Sequence, residues 1–118
     1  MTVAKSRVQT FSKAALLVAT LSGYCRQKGY PDPIAEYEFH PTRQWRFDVA
    51  FPEAKVAIEL EGGVWSSGRH VRGNGYESDC QKYTEAAILG WKLIRLTWSQ
   101  VDRGDLWGYL DRVFGVAK

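Results

Sequence analysis

Between Arg46 and Gly63 the chain reads RFDVAFPEAKVAIELEGG, two short runs of alternating character joined by a link that begins with proline. Phe47, Val49 and Phe51 alternate with Arg46, Asp48 and Ala50; Val56, Ile58 and Leu60 alternate with Ala57, Glu59 and Glu61. A period of two predicts strands, and Pro52-Glu53-Ala54-Lys55 between them makes an antiparallel hairpin the simplest arrangement. Because side chains on a strand point alternately to its two faces, Phe47, Val49, Phe51, Val56, Ile58 and Leu60 are expected in one core. Asp48, Glu59 and Glu61 then share the opposite face, with Asp48 beside Glu59.

Three carboxylates gathered in this way repel one another, and a cation among them relieves that repulsion. Hard divalent ions such as Mg²⁺ take oxygen ligands, so the cluster suits one. A solvated acidic sheet face carries the same bare pattern, and the rest of the chain has to decide between the two.

With 118 residues there is room for a single domain whose core needs no disulfide or metal staple. The hydrophobic content of 45% belongs to a folding chain rather than a disordered one. A formal net charge of +3 is compatible with a nucleic-acid partner without requiring one. Cys25 and Cys80 form no CxxC pair and lack further zinc ligands, so both are expected as reduced thiols in the core. The apolar run from Ala14 to Leu21 is short and no small-residue cleavage pattern follows it, which predicts a cytoplasmic protein with no membrane partner.

Ser12 to Lys28 carries apolar residues at helical spacing, with Ser12 placed to cap the start and Gly29, Pro31 and Pro33 to stop the helix. Lys5, Arg7 and Lys13 form a basic arm that either meets phosphate or is simply solvated. Ile34 to His40 alternates as a first strand, and Pro41 to Trp45 turns the chain into the hairpin. There Arg43 and Arg46 flank Trp45, an arrangement that could lie along a phosphate backbone. From Gly62 to Gly75 five glycines fall in fourteen residues, a loop that carries Arg69, His70 and Arg72 directly downstream of the acids. Tyr76 to Leu89 predicts a second helix ended by Gly90, with Asp79, Lys82 and Ala86 on one face and Cys80, Tyr83, Ala87 and Ile88 turned inward. If the first of these faces meets the hairpin, Lys82 brings a cation to the acids. Trp91 to Trp98 predicts a strand that a crossover would place parallel to the hairpin's second strand, and Asp105 to Phe114 a last helix with Leu106, Leu110, Val113 and Phe114 on one side.

The resulting order, α-β-β-β-α-β, with Asp48 on the second strand and Glu59-Leu60-Glu61 on the third, resembles the PD-(D/E)xK nuclease superfamily. The nearest likeness is to the small single-domain branch around the very-short-patch repair endonucleases and related bacterial and prophage proteins. Arg46-Phe47-Asp48, Glu59-Leu60-Glu61-Gly62, His70, Asp79 with Lys82, and Gly90 to Thr97 as GWKLIRLT carry the resemblance, in the family's order and over more than half of the chain. Each motif is weak by itself; their succession is the specific part.

The resemblance implies an α/β restriction-endonuclease-like fold, with a mixed central sheet flanked by helices and a C-terminal helix added. It implies hydrolysis of DNA phosphodiester bonds in phage or bacterial DNA processing, repair or recombination. Asp48 and Glu59, with the main-chain carbonyl of Leu60, would hold Mg²⁺ or Mn²⁺. Where the superfamily usually has lysine this chain has Glu61, an acid that would bind a second ion or orient water, while Lys82 would restore the absent positive charge from the helix. His70 is assigned as acid, base or phosphate contact, and Arg43, Arg46, Arg69 and Arg72 as nucleic-acid contacts. A nuclease acting on junctions or flaps shares this chemistry, and no helix-turn-helix or zinc finger selects a cleavage sequence. Cutting both strands usually takes two sites, which leaves a homodimer and a nicking monomer both open. The competing reading from another class is a catalytically inactive nucleic-acid-binding module on a nuclease fold, keeping the arginines without the hydrolysis.

Overall fold

The computed structural model describes residues 12–62 and 74–115. Helix α1, Lys13–Lys28, begins at Ser12, whose hydroxyl accepts from the Ala15 N–H at 3.0 Å, and ends at Gly29 with φ +78°, a backbone conformation glycine adopts without penalty. Strand β1 is Ile34–Glu38 and β2 is Arg46–Phe51; a single 3₁₀ turn over Pro52–Ala54 leads to β3, Val56–Leu60. Helix α2, Asn74–Ile88, closes on Gly90 at φ +90°, and strand β4 is Lys92–Leu96. A short helix α3, Trp98–Asp102, and helix α4, Asp105–Phe114, complete the described chain.

These elements form a mixed α/β structure around one four-stranded sheet in the order β1-β2-β3-β4. The hairpin expected from the sequence is present: β2 and β3 are antiparallel, with Val49 opposite Ile58 and Phe51 opposite Val56. β4 lies parallel to β3 after the helical crossover, with Glu59 opposite Arg95. No described helix is long and apolar enough to cross a membrane.

Both faces of the sheet are covered, so β3 is buried along its whole length. On one face Leu17, Leu21 and Cys25 of α1 and Leu106 and Leu110 of α4 pack on Val49, Phe51, Val56, Ile58 and Leu96. On the other, Ala50 and Ala57, paired across β2 and β3, leave room for Ala86 of α2 to come close, and Tyr37, Phe39, Trp91 and Leu93 fill the flanks. Asp111 ties the first layer together, accepting from the Tyr24 hydroxyl at 2.8 Å and the Tyr30 hydroxyl at 2.6 Å. The two phenols hold its carboxyl below the usual range, and the hydrogen bond to Asp111 pushes Tyr30 up to about 12.

Four expectations need correction. Phe47 leaves the core of Val49 and Phe51 and packs instead in the α2 layer, stacked on Phe39 at 4.0 Å. Regular alternation stops where the β2–β3 ladder stops, short of Asp48, and Glu36, which faces Asp48 in the β1–β2 register, takes a left-handed φ of +56°. On α2 the inward residue is Ala86, while Ala87 is exposed and Ile88 is 72% exposed, because the small residues of the sheet accept a small residue above them. Cys80 is exposed as well, and only Cys25 is a core thiol. Finally, β4 ends before Thr97, whose hydroxyl and the Gln100 side chain cap each other's N–H groups and start α3.

Candidate active site

Where the β2–β3 ladder ends, side chains take over its hydrogen bonds. The Leu60 N–H donates to Asp48 Oδ2 at 2.7 Å, and the Asp48 N–H donates to Glu59 Oε2 at 3.1 Å. These reciprocal bonds bring the two carboxylates close, but not by the shared face that alternation predicts: with Phe47 turned to the α2 layer, Asp48 meets Lys13 of α1 while Glu59 lies beneath α2. Asp48 keeps some contact with solvent, whereas Glu59 is only 7% exposed beneath α2.

A buried carboxylate needs donors, and α2 supplies them from consecutive residues. Lys82 Nζ donates to Glu59 Oε2 at 3.3 Å and the Tyr83 hydroxyl to Oε1 at 3.1 Å. Burial still lifts the Glu59 carboxyl above its ordinary value; Lys82 pulls it back and the charge of Asp48 adds to the rise. The Tyr83 phenol is pushed up strongly, first by its own burial and then by the charge of Glu59, so it stays protonated and donating. Glu61, one turn of the strand pleat further on, points elsewhere: it accepts from Arg95 Nε at 2.8 Å, and that guanidinium lies 4.4 Å from the centre of the Tyr83 ring.

The third cation comes from α1. Lys13 Nζ donates to the Leu60 carbonyl at 3.2 Å and stands 3.7 Å from Asp48 Oδ2. Each acid of the cluster therefore has its own partner, Asp48 with Lys13, Glu59 with Lys82 and Glu61 with Arg95.

This arrangement bears on whether a divalent ion fits. Among the described residues no three acidic, histidine or cysteine side chains converge into a metal-holding group, and Glu61 is turned to Arg95. The Asp48 carboxylate and the Leu60 carbonyl, however, already converge on one positive group, the Lys13 ammonium. Two protein oxygens are a donor set that Mg²⁺ accepts, since it keeps several waters. Lys13 is half exposed, so its ammonium can leave. Replacing Lys13 with methionine is expected to tighten Mn²⁺ binding about five- to tenfold, the equivalent of about 1 kcal/mol for unit charges 4 Å apart in water-like surroundings. Titration calorimetry on wild type and Lys13→Met checks this; equal or weaker binding by the variant would show that the ammonium does not compete.

Of the other candidates, Arg46 is engaged with Glu38 and Glu36 of β1 at 3.4 and 3.9 Å. Arg43 lies over the Trp45 ring at 4.0 Å. Asp79 is exposed and is not the partner of Lys82. Arg69, His70 and Arg72 lie outside the described residues. Sequence reasoning missed three contributors. In the sequence Lys13 belongs to a basic arm, Tyr83 to the packing face of a helix and Arg95 to a strand motif. Only Tyr83 and Arg95 carried a usable signal, from the inward face of α2 and from a parallel register next to β3.

No family model matches the chain, and no curated protein or solved structure matches it.

Proposed function

We propose that this chain is a metal-dependent DNA endonuclease that hydrolyses phosphodiester bonds, on a restriction-endonuclease-like version of the α/β fold. The observation that carries the reading is the cation seat between Asp48 and the Leu60 carbonyl, with Glu59 hydrogen-bonded to the Asp48 main chain beside it. The order α1-β1-β2-β3-α2-β4, with an antiparallel hairpin followed by a parallel strand, supports the same reading.

Mg²⁺ or Mn²⁺ held by Asp48 and the Leu60 carbonyl, with Glu59 adjoining, would polarise a phosphoryl oxygen and lower the pKa of an attacking water. Lys82, oriented by Glu59, provides the positive charge that the superfamily usually draws from the position of Glu61. Tyr83 holds the other oxygen of Glu59 and fixes the direction of that carboxylate. Glu61 acts through the guanidinium of Arg95, which it orients. Arg43, Arg46, Arg69 and Arg72 are assigned to phosphates, and His70 to proton transfer or a phosphate contact.

Supercoiled plasmid, linear duplex and branched DNA incubated with Mg²⁺, Mn²⁺ or EDTA test this directly. Nicked or linear product in metal and none in EDTA is the expected result, and the substrate cut fastest identifies the preferred DNA shape. Absence of product from every substrate sinks the nuclease reading. One observation favours the rival, a catalytically inactive DNA-binding module: each carboxylate is already neutralised by a side-chain cation. A metal-independent, salt-sensitive gel shift without cleavage would select it.

A further inference from the structure

β4 is an edge of the sheet, and α4 runs alongside it. Between them lies a groove of about 520 Å³ lined by Lys92, Arg95, Tyr109 and Arg112, with Ile94 and Val113 among its apolar lining. None of its lining residues is acidic. Among the described residues neither Lys92 nor Arg112 has a carboxylate within 4.0 Å. The adjoining depression does contain Asp105, but Arg103 neutralises it at 2.9 Å. The third cation, Arg95, also holds Glu61, which links one wall of the groove to the residue two positions beyond Glu59.

An exposed sheet edge has two ordinary occupants, another strand or a ligand matched to its side chains. Lysine and other charged residues on an edge work against the addition of a strand, because desolvating them is costly. Here Lys92 shares its side of β4 with Ile94 and faces α4, where Arg112 lines the same groove, while Arg95 shares the side of Leu93 and holds its guanidinium against Glu61 and the Tyr83 ring. Tyr109, 36% exposed, adds an aromatic surface beside them.

We infer that this groove is a DNA backbone track, in which Lys92 and Arg112 each neutralise a phosphate and Arg95 passes the strand on to the Asp48–Glu59 cluster. The direction of that passage rests on the nuclease reading; the phosphate binding does not. The sequence points instead to Arg43, Arg46, Arg69 and Arg72 as nucleic-acid contacts, and no pattern in it singles out Lys92 or Arg112.

The test is fluorescence anisotropy of a labelled duplex oligonucleotide with the full chain in EDTA, across a range of salt concentrations. Each lost phosphate contact lowers the slope of log K against log salt by about 0.9, so Lys92→Gln/Arg112→Gln should lose roughly 1.8 of slope and on the order of tenfold or more in affinity at moderate salt. Arg26→Gln, an exposed change on α1 that likewise removes one charge, should leave the slope near its wild-type value. Equal slopes for wild type and the double variant overturn the inference, as does an equal loss per charge in Arg26→Gln. Plasmid cleavage in Mg²⁺, followed separately, keeps the two readings apart. A changed slope without cleavage removes only the nuclease, and cleavage with an unchanged slope removes only the track.

Discussion

Lys82→Met is expected to destabilise the fold by about 3 kcal/mol at pH 8, the lower part of the range for breaking a buried ion pair, and much less at pH 4.5. Both partners of the pair are largely out of water, Lys82 with 14% and Glu59 with 9% of its side chain exposed. Methionine fills a similar volume but leaves Glu59 with only the Tyr83 hydroxyl and the Asp48 N–H. Burial already raises the Glu59 carboxyl above its ordinary value of 4.5, and loss of the ammonium raises it further. A carboxyl whose folded pKa lies above its unfolded value stabilises the fold below the unfolded value, and that contribution is lost as pH rises through the folded one. The variant can therefore adopt a neutral Glu59 in acid and cannot at pH 8. Thermal unfolding of wild type and variant at the two pH values reads the difference, with a deficit of roughly 10 °C expected at the higher pH. A deficit independent of pH would mean that Lys82 contributes packing rather than charge.

The second large effect is on activity. Asp48→Asn keeps an oxygen that accepts from the Leu60 N–H and removes the negative charge that faces Lys13. On the nuclease reading, cleavage should fall on the order of a thousandfold, because several kcal/mol of charge stabilisation at the phosphoryl group depend on the ion that Asp48 helps to hold. The melting temperature should move by only a few degrees, since the lost pair is half exposed on the Lys13 side and such pairs contribute about 1 kcal/mol or less. Initial rates of plasmid nicking, measured beside the melting curves, separate the two effects. A folded Asp48→Asn that cuts at the wild-type rate would remove Asp48 from the chemistry.

How far the sequence could be read depended on how local the signal was. That Asp48 and Glu59 come close is written in two short runs and one link, all within sixteen residues, but the contact runs through main-chain bonds and not through the common face that alternation predicts. The helix stops at Gly29 and Gly90 were legible for the same reason. Phe47 was misplaced because alternation presumes an unbroken ladder, and nothing in RFDVAF says that the ladder ends at Val49. The inward face of α2 was misjudged because its apolar residues permit more than one rotation; Ala50 and Ala57 on the sheet make the choice. The start of α3 was written in the chain as Thr97 and Gln100, three apart, but lay inside a run that otherwise favours a strand. Lys13 could not be found at all, since no local pattern tells which strand end the start of a helix will meet.

If the chain is a nuclease as proposed, the cation between Asp48 and Leu60 would also make two binding equilibria depend on each other. A metal ion entering that seat has to evict an ammonium, and an evicted ammonium seeks an anion. A DNA phosphate near the start of α1 would give it one, so each ligand lowers the cost of admitting the other. Thermodynamic reciprocity then requires that DNA raise the affinity for metal by the same factor as metal raises the affinity for DNA. On the nuclease reading, the seat without DNA would stay filled by the protein's own charge, and free divalent ions would be held weakly until there is a strand to act on.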